Sequence, residues 1–511
     1  MATQAPLLWT IRKVVWNSIS LIIFRGKKAK KIPLPPDSPK PLKAVPLSQR
    51  IPGIKIDNIL MADRIPPGET SKLMYYVFRF RLWLYAVFPP VQPGLPQIDA
   101  DMQKAMDEAF TPAYAKLYPR PVVPEPFQGD GLPDLGELAM MSPYSCFIAA
   151  DPDGGYSWDF RDLNNHEIYD HLEPIGCRVR FEHDTDARRF RATGIETHMG
   201  TFVPGDHGWP HAVSIALCAA STQISLVQHF NWVHLACGGP LSIATRNQLP
   251  KSHVMCRLVW PHMFGTQNSN YLVTMAQMLR NGDFETIFSF THKGMCDVFS
   301  TTYDQYRASL TVPKLDWAAR GLPTEDLDRP SQDNFEELYD VMETHARRYI
   351  DIYYENDADL QADETVAAWL DALEARIPNG IQSILDGAVT RASVARLVAG
   401  FIYMASVQHE VLGTMMWNYQ MWVDKNPVRI LRNGNRIPLD VFQRLLNANF
   451  NLNVDRAKLC QDFSYMALDD KAGAAFKAFK ADLDALEARY EKLPDAPWRV
   501  MPSMLEANIN A

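Results

Sequence analysis

Apolar positions recur at helical spacing through most of the second half of the chain. The pattern predicts helices over 212–237, 270–280, 334–356, 363–375, 392–423, 439–448 and 472–492. The stretch 392–423 is apolar on most sides, which predicts burial all round. Earlier, the aromatic-rich run 72–88 predicts a helix stopped by Pro89 and Pro90, and 100–118 predicts another. Gly, Pro and Asp dominate 129–155, which predicts loop. Around 177–202 the period changes to two: Arg178-Val179-Arg180-Phe181 and Arg189-Phe190-Arg191-Ala192 alternate on either side of an Asp/Thr/Asp turn. That is the signature of a small strand section, most simply a hairpin. The fold class is therefore mainly α, with one large helical domain over 71–511 and a small β section near residues 177–202.

The N-terminus has a different organisation. Residues 7–24 are apolar but carry Arg12 and Lys13 centrally, which is costly for a spanning helix. A secretory signal would carry its basic residues before the apolar run; here Arg25, Lys27, Lys28, Lys30 and Lys31 follow it. On a helix, Leu8, Ile11, Val15, Ile19 and Ile22 form one stripe and Thr10, Lys13, Asn17 and Ser20 another. Residues 1–31 thus predict an amphipathic helix with a basic flank. Two placements stay open: peripheral contact with an anionic membrane, or docking on the protein's own body. Pro33-Leu-Pro-Pro-Asp-Ser-Pro-Lys-Pro41 is incompatible with helix or central strand, so 32–70 is expected to be a Pro-rich linker.

Composition adds exclusions. At 511 residues, 47% hydrophobic and 22% charged, the chain has ample material for a large core. Its 51 basic and 59 acidic residues give −8, with no basic excess to suggest a nucleic-acid partner. Seven cysteines, odd in number and scattered without a CxxC pair, predict reduced, buried thiols and a cytoplasmic protein.

The candidate chemistry lies in the histidines. His229 and His234 sit five apart in an apolar helical run, and His409 lies alone in another. Neutral imidazole is a common metal ligand. In a regular α-helix, however, positions i and i+5 do not share a face. The pair converges only if the helix widens locally, as a π-type turn allows. The histidines at 166, 171, 183, 198, 207, 211, 292 and 345 stand in polar or loop context and are expected to be solvated.

The surroundings carry a stronger signal. His229-Phe-Asn-Trp-Val-His234 is followed by Pro240, by Ile243-Ala-Thr-Arg-Asn-Gln-Leu249, by His253, and by Pro261-His262. Thr266, Asn268 and Asn270 follow in a T-x-N-x-N pattern. This run resembles the lipoxygenase family, over roughly 190–511 and most specifically around 225–275 and in the last eleven residues. The resemblance implies a lipoxygenase-like catalytic domain with a mononuclear non-haem iron (manganese the second choice). Its ligands would be His229, His234, His409 and the α-carboxylate of Ala511. His253, His262 and Gly413 would orient the ligands or shape the site, and Leu272, Val273 and Leu412 would line the substrate pocket. The implied activity is insertion of O2 into a polyunsaturated fatty acid or related lipid to give a hydroperoxide. An iron oxygenase or hydroperoxide-converting enzyme acting on another apolar substrate is the alternative, and a lipid-binding protein with a decayed site a third.

This chain departs from the family pattern in several places. Gly413 stands where the family often has a weakly ligating Asn, and Ala511 where it ends in Ile. Arg246-Asn247 inverts the usual order, one residue is added between His234 and Pro240, and Ser225 replaces a glutamine. Residues 1–100 show no strand pattern of the length that the family's N-terminal β-barrel needs.

Overall fold

The computed structural model describes residues 31–37, 40–69, 76, 121–129, 131–432 and 457–509. The predicted helices over 1–31, 72–88, 100–118 and 439–448, and the residue Ala511, lie outside the described residues, Lys31 and Tyr76 apart.

The central element is a 40-residue helix, α1 (Trp209–Gln248). Nearly every side chain from Ala212 to Arg246 is buried. It is apolar and long enough to cross a membrane, but 78% of its most apolar window is buried inside the protein; packing in the core accounts for its composition. Its middle, Gln223–Gly238, is π-helical. Pro240 follows directly, with no N–H to donate and a ring that crowds the carbonyl one turn back. The widened turn absorbs that defect: the Gly239 N–H reaches the carbonyl of His234, five residues earlier.

Around α1 pack α2 (Val254–Met263), α3 (Thr266–Val273) and α4 (His292–Tyr303). Farther on, α5 (Pro330–Tyr353), α6 (Glu364–Glu374), α7 (Arg391–Tyr403) and α8 (Asp470–Tyr490) complete the helical body. The long amphipathic α5 lies between α7 and α8. Helix α7 starts at a capping box, with Ser393 N–H on Thr390 Oγ1 at 3.0 Å and Thr390 N–H on Ser393 Oγ at 2.9 Å. It continues through two further π turns, Met404–Gln408 and Glu410–Thr414. As its all-round apolarity predicts, it is buried over most of its length.

Two corrections concern the first half. The predicted hairpin is part of a five-stranded antiparallel meander, in order β3 (Ala149–Ala150), β4 (Tyr156–Asp159), β5 (Arg178–Asp184), β6 (Arg189–Thr197) and β7 (Gly200–Phe202). Its first strand falls inside the stretch expected to be loop and its second begins just after it; Asp and Gly in the β3–β4 turn masked a short pairing. Val179 opposes Ile195 and Phe181 opposes Ala192, with a register shift between Arg180 and Phe181.

The second correction concerns the expected linker 32–70, whose described residues are part of the body rather than a free linker. Ile32, Leu47, Ile51, Ile54, Ile56 and Ile59 join the main core. A small ribbon of β1 (Ala44–Pro46) and β2 (Leu60–Ala62) lies on α1 and α3. Trp260 donates to Pro33 O at 2.8 Å and Tyr465 to Ile32 O at 3.1 Å. Prolines prevented regular structure here without preventing docking, because isoleucines between them carry the burial.

Candidate metal centre

His229 and His234 both project from the π-helical middle of α1, and His409 from the junction of the two π turns after α7. The widening is what lets residues five apart share a face. The three rings form a near-equilateral triangle with centroid separations of 5.1, 4.9 and 5.1 Å. One nitrogen from each lies within 4.8 Å of the other two, the only such metal-competent group among the described residues. All three are buried, at 8%, 2% and 2% exposure. Three convergent imidazoles with no thiolate suit a mononuclear transition-metal ion, so the residues present fit the group that the resemblance implies.

The carboxamide of Asn270 bridges His234. Its Nδ2 donates to the His234 carbonyl at 2.8 Å, and its Oδ1 faces His234 Nδ1 at 3.1 Å. Asn231, between the two ligands, anchors α1 to α4 through Phe299 O and Thr302 Oγ1, both at 2.9 Å. Ser225 accepts a hydrogen bond from Gln420 at 2.9 Å. That bond ties the ligand helix to the segment beyond His409, and only the tertiary structure reveals Gln420's part in it.

Gly413 packs closely against His229. A Cβ there would stand 2.9 Å from Cε1 and 3.0 Å from Nε2 of that ring. The missing side chain is therefore a packing requirement as well as a missing donor. Gly238 plays the matching role on α1, where a Cβ would overlap the side chain of Ile509. The C-terminal segment is buried there: Ala507 and Ile509 at 0% and Asn508 at 2% exposure. His262 meets the Ala507 carbonyl through Nδ1 at 2.9 Å, and Asn508 donates to Pro261 O at 3.1 Å. Burial pushes the His262 imidazole down to about 4, so the ring is neutral and Nδ1–H is the donor. The tail is thus clamped by α2 and seated on α1 one turn past His234.

His253 caps α2 and joins α6: Nδ1 accepts from Met255 N–H at 3.2 Å, and Nε2 meets Asp363 Oδ2 at 3.0 Å. The inverted pair Arg246-Asn247 holds residues 42–69 to the body. Arg246 forms a buried ion pair with Glu69 and lies 4.5 Å over the Trp260 ring. Asn247 exchanges two hydrogen bonds with the Leu42 backbone, at 2.8 and 2.9 Å. Leu272 and Val273 are buried at the end of α3. Leu412 lines a cavity of about 60 Å³ together with Gln228, Gln408, Val411, Cys146 and Tyr403. A space of that size and polarity holds a few waters rather than a lipid chain.

Two histidine readings fail: His292, expected to be solvated, is 6% exposed, with Nε2 3.1 Å from the Met278 carbonyl oxygen. His345, expected to be solvated, is fully buried and stacked on Phe479 at 4.2 Å. Its neighbours in sequence are polar because α5 is amphipathic, and His345 stands on its inner face.

A buried histidine triad on π-widened helices defines a class of non-haem metal proteins, and comparison narrows it. The lipoxygenase family model matches residues 197–443. Curated relatives include a manganese lipoxygenase of Pleurotus sapidus, 24% identical over 43% of this chain and 35% of the relative. A hydroperoxide isomerase, ALOXE3, of Rattus norvegicus is 23% identical over 39% and 28%. These matches span about a third of the relatives' own length. Among solved structures, a calcium-dependent 11R-lipoxygenase superposes with a TM-score of 0.72 at 15% identity, over 98% of this chain and 80% of that one. Coral 8R-lipoxygenase gives 0.71 at 12% identity, over 99% and 82%. The chain is thus similar to lipoxygenases in sequence over residues 197–443 and in fold over nearly its whole length.

Proposed function

We propose that this protein is a non-haem iron dioxygenase that inserts O2 into a polyunsaturated fatty acid or related lipid. The observation that carries the reading is the triad itself: three buried imidazoles delivered to one point by helices widened where the ligands stand. We assign His229, His234 and His409 as ligands and the α-carboxylate of Ala511 as the fourth. The course of the tail supports this last assignment, since Ile509 already rests on Gly238. An iron held there would supply one-electron oxidation of a weak C–H bond in the presence of O2. Manganese accepts the same donors, and one relative is a manganese lipoxygenase.

The protein's part is to bind, orient and keep the site dry. The three imidazoles offer ring nitrogens, Asn270 holds one of the rings, and the buried Val411, Leu412, Met415 and Met416 follow His409 along the chain. A mainly apolar surround suits a hydrocarbon substrate. We place the protein in the cytoplasm, with residues 1–31 as a peripheral contact to anionic membrane.

The test is oxygen uptake by metal-replete protein supplied with linoleate or longer polyunsaturated acids, followed together with conjugated-diene absorbance. Uptake with diene formation supports the proposal; none with any such acid contradicts it. The relative that is a hydroperoxide isomerase favours a second reading, in which the protein consumes a fatty-acid hydroperoxide without net O2 uptake. The same electrode, with hydroperoxide as substrate, separates the two.

A further inference from the structure

We propose that Asn270 is a positioning residue that fixes the tautomer of His234, and so decides which ring nitrogen faces the metal; this rests on the metal-site reading above. The argument follows from donors and acceptors alone. The His234 carbonyl can only accept, so the amide nitrogen of Asn270 must be the group that lies 2.8 Å from it. That orients Oδ1 towards the ring, 3.1 Å from His234 Nδ1. A carboxamide oxygen can only accept, so Nδ1 must carry the proton. In a neutral imidazole the other nitrogen then holds the lone pair, and Nε2 is turned to the triad.

One side chain therefore reads both the backbone and the ring of the same ligand. It fixes the ring's rotation as well as its proton. The arrangement is rigid because Asn270 is 1% exposed on α3. Its own carbonyl is held by the Thr274 backbone N–H and hydroxyl. The π turn at Gln223–Gly238 supplies the other half of the lock. The His234 carbonyl receives both the Gly239 N–H and the Asn270 amide. In a regular α-helix the acceptor for Gly239 would be one residue later.

Two measurements test this. Fe(II) and Mn(II) affinities would be determined by chelator competition for the full chain and for Asn270→Ala, Asn270→Asp and Thr274→Val. Loss of an outer-shell partner typically weakens metal binding by about 10- to 100-fold, and that loss is expected for Asn270→Ala. Asn270→Asp keeps an acceptor for Nδ1–H but sets a second oxygen against the His234 carbonyl, so it should recover only part of it. Thr274→Val removes the hydroxyl behind Asn270 but keeps the Thr274 N–H on the same carbonyl, so it should weaken binding less than Asn270→Ala does. Nitrogen-15 NMR of the metal-free protein, labelled at histidine, should show His234 as the Nδ1–H tautomer, replaced by a mixture in Asn270→Ala. Unchanged affinity in Asn270→Ala, or an Nε2–H tautomer in the wild type, would overturn the assignment. A wild type that binds neither metal would refute the metal-site reading instead, while the tautomer measurement would still decide the role of Asn270.

Discussion

Position 413 offers a sharp test of how tightly the site is built. A Cβ added there would lie 2.9 Å from Cε1 and 3.0 Å from Nε2 of His229. Ordinary carbon contacts begin near 3.4 Å, so Gly413→Ala requires the ring to retreat by about half an ångström. Metal–ligand distances tolerate only about 0.2 Å. Small-to-large changes in a close-packed interior cost about 1–3 kcal/mol, or roughly 5- to 150-fold in affinity where the strain falls on the ligand. Gly413→Asn needs the same Cβ, so its carboxamide should not add a donor; it should weaken the site as Ala does. Chelator competition with Fe(II) and Mn(II) measures both variants, and denaturant unfolding of the metal-free proteins separates loss of fold from loss of site. Binding within twofold of wild type for Gly413→Ala, or tighter binding for Gly413→Asn, would refute the packing argument.

Three further outcomes are expected. Burial, with smaller contributions from His262 and Arg348, pushes the His345 imidazole down to about 3. The unfolded chain takes up a proton near the ordinary value and the folded chain does not. Stability is therefore complete above about pH 6.5 and is lost as pH falls below it, by about 2 kcal/mol at pH 5 from this residue; urea unfolding of metal-free His345→Phe should lack that part of the acid loss. Adding one or two residues after Ala511 turns its carboxylate into an amide and should strip bound metal, whereas Ala511→Ile should keep it; metal analysis of the three proteins decides. Removing residues 1–30 should abolish flotation with anionic vesicles while leaving the unfolding midpoint unchanged, since the contacts of Lys31 and Ile32 with Tyr465 are kept; equal flotation would place the helix on the body.

Much of the site was legible because its elements are local. The His229–His234 spacing demands a π turn for convergence, and the helix supplies one over Gln223–Gly238. The apolar run around His409 predicted burial, and the ring is 2% exposed. What stayed hidden depends on contacts far apart in sequence. Asn270 stands 36 residues from His234, and Gly413 meets His229 across two helices. Gly238 is shaped by Ile509. The docking of 32–69 was obscured because proline content signals irregular backbone but says nothing about which isoleucines find a core. His345 was misread because the polar residues beside it belong to the outer face of the same helix.

The central claim is that His229, His234 and His409 hold one metal ion. Metal analysis of the purified full chain beside His409→Ala tests it most directly. The account predicts close to one equivalent of iron or manganese per chain in the former and almost none in the latter, with both proteins folded. Near-stoichiometric metal in folded His409→Ala would contradict it.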